Sequence, residues 1–457
     1  MFPAKKNFPC LEIQSYTLEE KFWQGNFTED LEIYGAYDYT FFFRSGSKTQ
    51  NDFQAVLAFS PHVIFSFNAE GVLVKEKTSC YLLEEEESSI QRKILDSFNT
   101  SEFPAPVSNC CLAGLYSYEY GRYLHGLISN AEFTSPAWIL ACYNTYYFYN
   151  IQTRTKTCIQ LNYKIPGKIL RKNSKFNFNK NFKLQNPISS ENENTYIQKV
   201  KKVKDYIRSG NVYELNLSRK IEAEFSGSPI SLFLKLYQIN PAPFSAYFLL
   251  EEECVVSNSP ESFLYAEGKK IETRPIKGTI QRANKKKKDK ANRRSLYFSQ
   301  KDQAELYMII DLLRNDLGKV SKFASVKVKK RKKMESFANV HHLLGVIEGI
   351  LKQEYSYIDL LLACLPGGSI TGCPKKRCME IIHEIENLER GIYTGSIAYF
   401  NKTSLVSNIL IRTAYLKNST CSFHTGGAIT IESEPEGEYR ETIYKANSFN
   451  KLFSVSD

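Results

Sequence analysis

Two pairs of acidic residues stand three positions apart in stretches with helical periodicity. Asp302 and Glu305 open a run that continues Met308-Ile309-Ile310-Asp311-Leu312-Leu313, and Glu438 and Glu441 follow Ser433-Glu434-Pro435-Glu436. Residues at i and i+3 share a helix face. Lys445 extends the second stripe by one turn, so Glu438, Glu441 and Lys445 are expected to project together. Two helices that each offer paired carboxylate oxygens suit Mg²⁺, which takes few carboxylates and keeps places for water or substrate oxygens. Acids near helix N-termini also serve simply as partners of the helix dipole. Ser433 and Glu436 read as a capping box with Pro435 in the first turn.

Pro366-Gly367-Gly368-Ser369-Ile370-Thr371-Gly372-Cys373-Pro374-Lys375 is a glycine-rich turn that opens a helix, where free N–H groups favour an anion. Gly367 and Gly372 have phosphate-loop spacing, but Cys373-Pro374 stands where that motif needs Lys and then Ser or Thr, which disfavours a nucleotide. The plainer alternative is a tight turn with Pro374 at the first helical position. Thr273-Arg274-Pro275-Ile276-Lys277-Gly278-Thr279 sets one lysine in an apolar-to-glycine turn. Held away from water and near a cation, such an amine loses its proton and becomes a nucleophile, whereas most lysines are merely solvated. His342 in His341-His342 is an acid/base candidate or a hydrogen-bonded core histidine. Glu261 in Ser259-Pro260-Glu261 offers a carboxyl beside a turn, or an acid at a helix start.

These groups need elements to hold them. Residues 10–165 are rich in Tyr, Phe and β-branched residues in short stretches such as Tyr39-Thr40-Phe41-Phe42-Phe43 and Val63-Ile64-Phe65-Ser66-Phe67, which read as antiparallel strands. The polar segment from Pro166-Gly167-Lys168 to Ser189-Ser190-Glu191-Asn192 is the best boundary, and divides an N-terminal unit, 1–190, from a second, 191–457. Beyond it Tyr196, Ile197, Val200, Val203 and Ile207 take helical spacing, capped by Asn194 or Thr195 and ended by Gly210. A strand follows through Val212-Tyr213-Glu214-Leu215-Asn216-Leu217. Helical patterns recur at 302–316, 374–386 and 436–449, with strands such as 404–416 between them. The expected fold is α+β, with consecutive strands mostly antiparallel.

With 457 residues, 42 % of them apolar, the chain has ample material for a core, which excludes a disordered protein. No apolar run approaches the roughly 18–20 residues of a membrane span. No apolar region follows the lysines of Met-Phe-Pro-Ala-Lys-Lys, so no secretory signal is expected. The eleven cysteines are scattered without a C-x-x-C pair, an odd number that argues for reduced thiols and a cytoplasmic setting. They and the six histidines never cluster at zinc-ligand spacing. Sixty Lys and Arg against forty-nine Asp and Glu give +11, much of it in the runs 285–290 and 327–333. Such runs raise nucleic-acid binding as one reading. They lack interleaved aromatics and any accompanying motif, and read more simply as solvated surface, with a surplus that would also suit an anionic small molecule.

In order, these segments resemble the chorismate-utilising enzymes, a family that includes aminodeoxychorismate, anthranilate, isochorismate and salicylate synthases. The matching stretches begin with Asn211-Val212-Tyr213-Glu214-Leu215-Asn216-Leu217-Ser218, Ser259-Pro260-Glu261, Pro275-Ile276-Lys277-Gly278-Thr279 and 302–316. His341-His342-Leu343, 366–375, Arg390-Gly391-Ile392-Tyr393-Thr394-Gly395, Ile411-Arg412-Thr413-Ala414 and 426–445 complete the set. Coverage is about 192–450, and Gly114-Leu115-Tyr116-Ser117-Tyr118-Glu119-Tyr120-Gly121-Arg122 looks like the family's N-terminal region. The resemblance implies large, mostly antiparallel sheets packed face to face with helices outside.

Within the family, members that aminate chorismate at C4 typically carry Lys in Pro-Ile-Lys-Gly-Thr, where anthranilate synthases carry Ala; this chain has Lys277. The water-using members place a lysine base where this chain has Glu214. The resemblance therefore implies formation of 4-amino-4-deoxychorismate, the precursor of p-aminobenzoate and folate. Lys277 would be a neutral nucleophile that forms a covalent adduct, Glu261 the general acid, and His342 an active-site histidine without an assigned step. Glu305 and Glu441 would hold Mg²⁺, with Asp302 and Glu438 nearby or through water. Tyr393 and Arg412 would hold the enolpyruvyl carboxylate, and Ser369, Thr371, Gly426, Lys445, Gly278 and Thr279 would finish the substrate site. Ammonia is expected from a separate glutaminase subunit; neither a membrane nor a nucleic acid is expected as a partner. Anthranilate synthase component I is the nearest alternative reading. Ala428 stands where the family usually has Gly, Cys373 and Cys378 replace residues that are commonly Ala, and 285–294 is expected as an expanded surface loop.

Overall fold

In the strand Phe41–Ser45 successive rings point to opposite faces, and that alternation organises the protein. Phe41 and Phe43 join Ala246, Phe248 and Val255 in a layer shared with Leu112, Leu115, Ile397 and Leu405 of a facing sheet. Phe42, Tyr247, Leu249, Cys254 and Val256 turn the other way, onto the helices Phe27–Tyr34, Pro229–Ile239 and Pro435–Phe453. In this computed structural model the described residues are 5–6, 8–9, 11, 13–22, 27–46, 54–77, 79–83, 85, 87–97, 112–163, 169–179, 181–337, 340–400 and 403–453.

Both sheets belong to one hydrogen-bonded network hinged on the long strand Gln54–Asn68. Its first half pairs with Phe41–Ser45, and the ladder continues through Phe244–Leu249, Glu253–Ser259, Thr413–Lys417, Thr420–Ile429, Glu214–Ser226 and Lys183–Ser189. Along nearly its whole length it also pairs with Trp138–Asn150, and that ladder continues through Leu112–Tyr116, Ser396–Phe400, Ser404–Asn408, Ser262–Glu267, Lys270–Thr273 and Val340–Ile350. Ile276–Gln281 and Lys327–Ser336 flank the last of these. All these ladders are antiparallel, as the α+β expectation requires. Strands from both sides of residue 190 pair in each sheet. Leu306, Ile309, Ile310, Leu313 and Leu317 of the helix Gln300–Val320 pack into the same core as Leu343 and Ile347 of the strand beneath it. A third cluster joins the helices Glu193–Arg208 and Lys375–Glu386 to Leu215, Leu217 and Ile429. Among the described residues no helix is long and apolar enough to cross a membrane.

Several local expectations change. The lysine-rich stretch expected as a loop is the helix Lys286–Phe298. Asp289 pins it to the sheet by accepting from the Ala283 N–H, Arg282 and His341, all at 3.0 Å. The expected strand 404–416 is two strands, Ser404–Asn408 and Thr413–Lys417, interrupted where Arg412 takes a left-handed φ of 51°. Asn192, rather than Asn194 or Thr195, caps the helix Glu193–Arg208 by accepting from the Thr195 N–H. Pro374 is the N-cap of its helix, one position earlier than expected. Ser433 does not box with Glu436: its Oγ accepts from the Thr430 N–H at 3.1 Å and its hydroxyl bonds Glu438.

Phe42 is fully buried and stacks on Phe27 at 4.7 Å. Phe42→Ala is expected to cost about 3–5 kcal/mol, read as a lowered midpoint in chemical denaturation.

Candidate active site

One cavity of about 710 Å³ opens where the ends of several strands meet two helices. Strand Ile276–Gln281 delivers Lys277, Gly278 and Thr279, and strand Val340–Ile350 delivers His342. Helix Gln300–Val320 contributes Asp302 and Glu305, and helix Pro435–Phe453 contributes Glu438, Glu441 and Lys445. Turns supply Glu261, Ser369, Tyr393 and Arg412, and Gly426 lies on the strand Thr420–Ile429. Of the residues expected from sequence, Thr371 alone stays off the wall: it is fully buried and its hydroxyl donates to the Gly367 carbonyl at 3.0 Å. Its hydroxyl is spent on closing the glycine turn. Gly426 and Gly278 sit where a side chain could not, since a Cβ would lie 2.2 Å from the Leu217 carbonyl oxygen and 2.7 Å from Asp302 Oδ1 respectively.

The surroundings of Lys277 reverse one expectation. Its Nζ donates to Glu214 Oε1 at 2.7 Å and lies 3.6 Å from Glu305 Oε2. Burial opposes the charge on this amine, but Glu214, Glu305 and Glu261 outweigh it and hold the ammonium above the usual lysine range. In place of the expected neutral lysine beside a cation stands a charged lysine among carboxylates. The sequence placed Glu214 only by contrast with other members; strand Glu214–Ser226 brings it 63 positions back to Lys277.

Glu261 is 5 % exposed and accepts a hydrogen bond from the Ser369 hydroxyl at 2.9 Å. Burial dominates and pushes its carboxyl up to about 7, against the opposing pull of Ser369 and Lys277. Such a group holds a proton near neutrality and can hand it to a leaving oxygen. His342 pairs through Nδ1 with Thr279 Oγ1 at 2.8 Å, and burial with Arg412 and His341 nearby lowers its pKa to about 3, so the imidazole is neutral.

At the far side Arg412 projects from its left-handed turn with no hydrogen-bond or ion-pair partner for the guanidinium among the described residues. A cationic fork without a counter-charge is a receptor for a carboxylate. Tyr393 stacks on His424 at 4.7 Å, and burial pushes its phenol up to about 12. Beneath them Arg390, buried, forms two hydrogen bonds with Glu386 (2.8 and 2.7 Å) and donates to the carbonyls of Asn216 and Ile370. The backbone N–H groups of Arg390 and Gly391 donate to Glu119, so the N-terminal region supports the floor of the cavity.

Across the mouth, Glu438 and Glu441 stand beside the bare backbone of Gly427, where a Cβ would lie 3.4 and 3.3 Å from their oxygens. Lys445 pairs with Glu441 at 2.7 Å and donates to the Gly426 carbonyl at 2.9 Å. Among the described residues no group of three His, Cys, Asp or Glu side chains is placed to hold a metal ion. Residues that sequence reasoning did not single out also line the wall, among them Asn216, Lys301, His424 and Tyr444. Lys301 and Tyr444 adjoin acids that were recognised, while Asn216 sits two places from Glu214 on the same strand face.

Residues 38–451 match the protein family described as chorismate binding enzyme. The chain belongs to that family. The chain is 36 % identical over 342 residues to the aminodeoxychorismate synthase component 1 of Escherichia coli (strain K12), 74 % of this chain and 76 % of that one. The protein of the same name from Bacillus subtilis (strain 168) is 38 % identical over 266 residues, 58 % of this chain, and the match spans just 57 % of its own length. Anthranilate synthase component 1 of Aquifex aeolicus (strain VF5) is 36 % identical over 259 residues, 56 % of this chain and 52 % of that protein. The crystal structure of anthranilate synthase component I from Streptococcus pneumoniae TIGR4 superposes with a TM-score of 0.72 at 24 % identity, covering 88 % of this chain and 93 % of that one, which shows the shared fold.

The Ser369 hydroxyl favours the charged form of Glu261. Ser369→Ala therefore moves the Glu261 pKa further above about 7, so its proton persists to higher pH. Carbon-13 NMR of the labelled carboxyl, titrated in wild type and variant, checks the direction.

Proposed function

We propose that this chorismate binding enzyme makes 4-amino-4-deoxychorismate from chorismate and ammonia, the nitrogen coming from glutamine through a separate glutaminase subunit. The observation that carries the reading is the amine of Lys277 inside the cavity, between the acid Glu261 and the carboxylates Glu214 and Glu305. Relatives named aminodeoxychorismate synthase component 1 support it. The product feeds p-aminobenzoate and folate synthesis in this reading.

Arg412 and Tyr393 take the enolpyruvyl carboxylate, while Lys445 and the backbone at Gly426 border the ring. The donors Glu305 and Glu441, with Asp302 and Glu438 beside them, are all carboxylates that two helices bring to the wall of one cavity. That set fits Mg²⁺, which keeps positions for substrate oxygens. When bound it would neutralise the ring carboxylate and draw electrons from the diene. Lys277 first passes its proton to Glu214, the carboxylate within hydrogen-bond reach. The free amine then bonds to ring C2, both diene double bonds shift one position round the ring, from C1=C2 to C6=C1 and from C5=C6 to C4=C5, and the C4–O bond breaks as Glu261 protonates the departing hydroxyl to water. Ammonia next bonds to C4, both double bonds shift back and the C2–N bond to Lys277 breaks. The product leaves as an ammonium, Lys277 recovers the proton from Glu214, and Glu261 is reprotonated from solvent.

Anthranilate synthase component 1 remains the second reading, favoured by a relative of equal identity. Incubation with chorismate, Mg²⁺ and an ammonium salt separates the two. The expected outcome is p-aminobenzoate only after a lyase is added; anthranilate fluorescence without lyase would overturn the proposal. Lys277→Ala is expected to abolish or greatly reduce amination, and turnover at the wild-type rate contradicts the covalent route. Glu261→Gln, lacking the proton, should lose ~10²–10⁴-fold in kcat. In the wild type kcat/KM should fall as pH rises through about 7, where Glu261 loses its proton.

A further inference from the structure

One polar side chain on the cavity wall has no task in the reaction above. His424 stands on the strand Thr420–Ile429 two places before Gly426, lines the cavity and is 7 % exposed. Its ring stacks on Tyr393, with centroids 4.7 Å apart and planes 10° from parallel. Nδ1 faces Ser218 Oγ at 3.5 Å, and Nε2 has no hydrogen-bond partner among the described residues. Burial, with Arg390 and Lys220 nearby, holds the imidazole well below the usual histidine range, so the ring is neutral and carries one N–H.

Ser218 decides which nitrogen carries that hydrogen. Its hydroxyl donates to Glu386 Oε1 at 2.9 Å, a carboxylate oxygen that also accepts from the Ser218 N–H and from Arg390. A hydroxyl has one hydrogen, so Ser218 Oγ has only lone pairs to offer His424, and a bare Nδ1 opposite would repel them. The hydrogen therefore sits on Nδ1, and Nε2 is left with a lone pair. A buried acceptor without a donor costs about 1–3 kcal/mol, which a ligand bringing a donor recovers. In chorismate both carboxylates are ionised near neutrality and the ether oxygen only accepts, so the 4-hydroxyl is its sole donor. C4 adjoins C3, which bears the enolpyruvyl ether, and Tyr393, against which His424 lies, takes the carboxylate of that group in the reading above. We infer that His424 Nε2 accepts a hydrogen bond from the 4-hydroxyl of chorismate and makes the site specific for a substrate that carries one. This rests on the substrate site proposed above. The contact suits the departure of that group: its hydrogen points to His424 while its oxygen keeps lone pairs for the Glu261 proton.

Two unreactive probes test the contact. One is chorismate saturated between C5 and C6, which breaks the relay of double bonds that expels the hydroxyl; the other is the same compound with hydrogen in place of the 4-hydroxyl. Calorimetric titration with Mg²⁺ present gives both dissociation constants. The wild type is expected to bind the hydroxyl form about tenfold more tightly. His424→Phe keeps a ring on Tyr393 without an acceptor, and the difference should fall to within about twofold. His424→Gln gives up the stack but offers an acceptor oxygen near the same place, and should restore most of the preference. Equal affinities in the wild type, or a preference that persists in a folded phenylalanine variant, overturn the assignment. Nitrogen-15 NMR of the unliganded wild type needs no variant: hydrogen on Nδ1 is expected, and hydrogen on Nε2 overturns the assignment as well. No amination takes place in these measurements, so anthranilate in the product assay rejects the aminating reading and leaves the contact standing, whereas loss of the contact leaves that reading untouched.

Discussion

An ammonium buried among carboxylates is the constraint around which this protein is arranged. Lys277 is 10 % exposed, and taking its charge out of water is unfavourable unless opposite charge is held close. Glu214 supplies that charge at 2.7 Å and Glu305 adds to it at 3.6 Å. Removing one member of such a pair leaves the other bare, at a cost of about 3–5 kcal/mol, so the strand, the turn and the helix that carry them are bound to one geometry. In the reaction proposed for this site, a lysine that must surrender a proton before it can attack has its acceptor already in contact.

The fold meets this demand by sealing both faces of the sheet that bears Glu214. Leu215 and Leu217 enter an apolar cluster with two helices, and the alternate residues line or support the cavity. Further down, Arg390 and Glu386 tie together the backbone at Asn216 and Ile370 and the serine at 218. Beyond their mutual bonds, the side chains of this pair reach segments that bear cavity residues. Glu119 reaches the same turn from the N-terminal region, so substrate-facing residues after 192 depend on a partner before it.

Charge is distributed with equal economy. Acids gather around Lys277 and at the mouth, whereas the Arg412 guanidinium faces the cavity without an acid in reach. The cavity thus offers a cation at one end and carboxylates at the other. Glu261, raised toward neutrality by burial, stands between them as the group able to donate a proton.

The residue types and their local periodicity were legible in the chain alone. The i and i+3 carboxylates and the glycine turn were exposed by spacing, whereas Lys277 and Arg412 gained their roles from the family resemblance, and helices at 302–316 and 436–449 were readable because apolar stripes recur each turn. Element edges were less so, since a cap such as Asn192, or the break at Arg412, depends on which backbone groups find partners. Thr371 lay on the motif yet turned its hydroxyl into the turn. Glu214 and Asn216 looked like two members of an ordinary strand, for an alternating pattern says which face a residue occupies and nothing about what lies opposite. Only folding brought residue 214 against residue 277, and a charge state is set by such distant neighbours: sequence determined which groups were present, and tertiary structure decided which amine is charged, which carboxyl is neutral and which acceptors are left open.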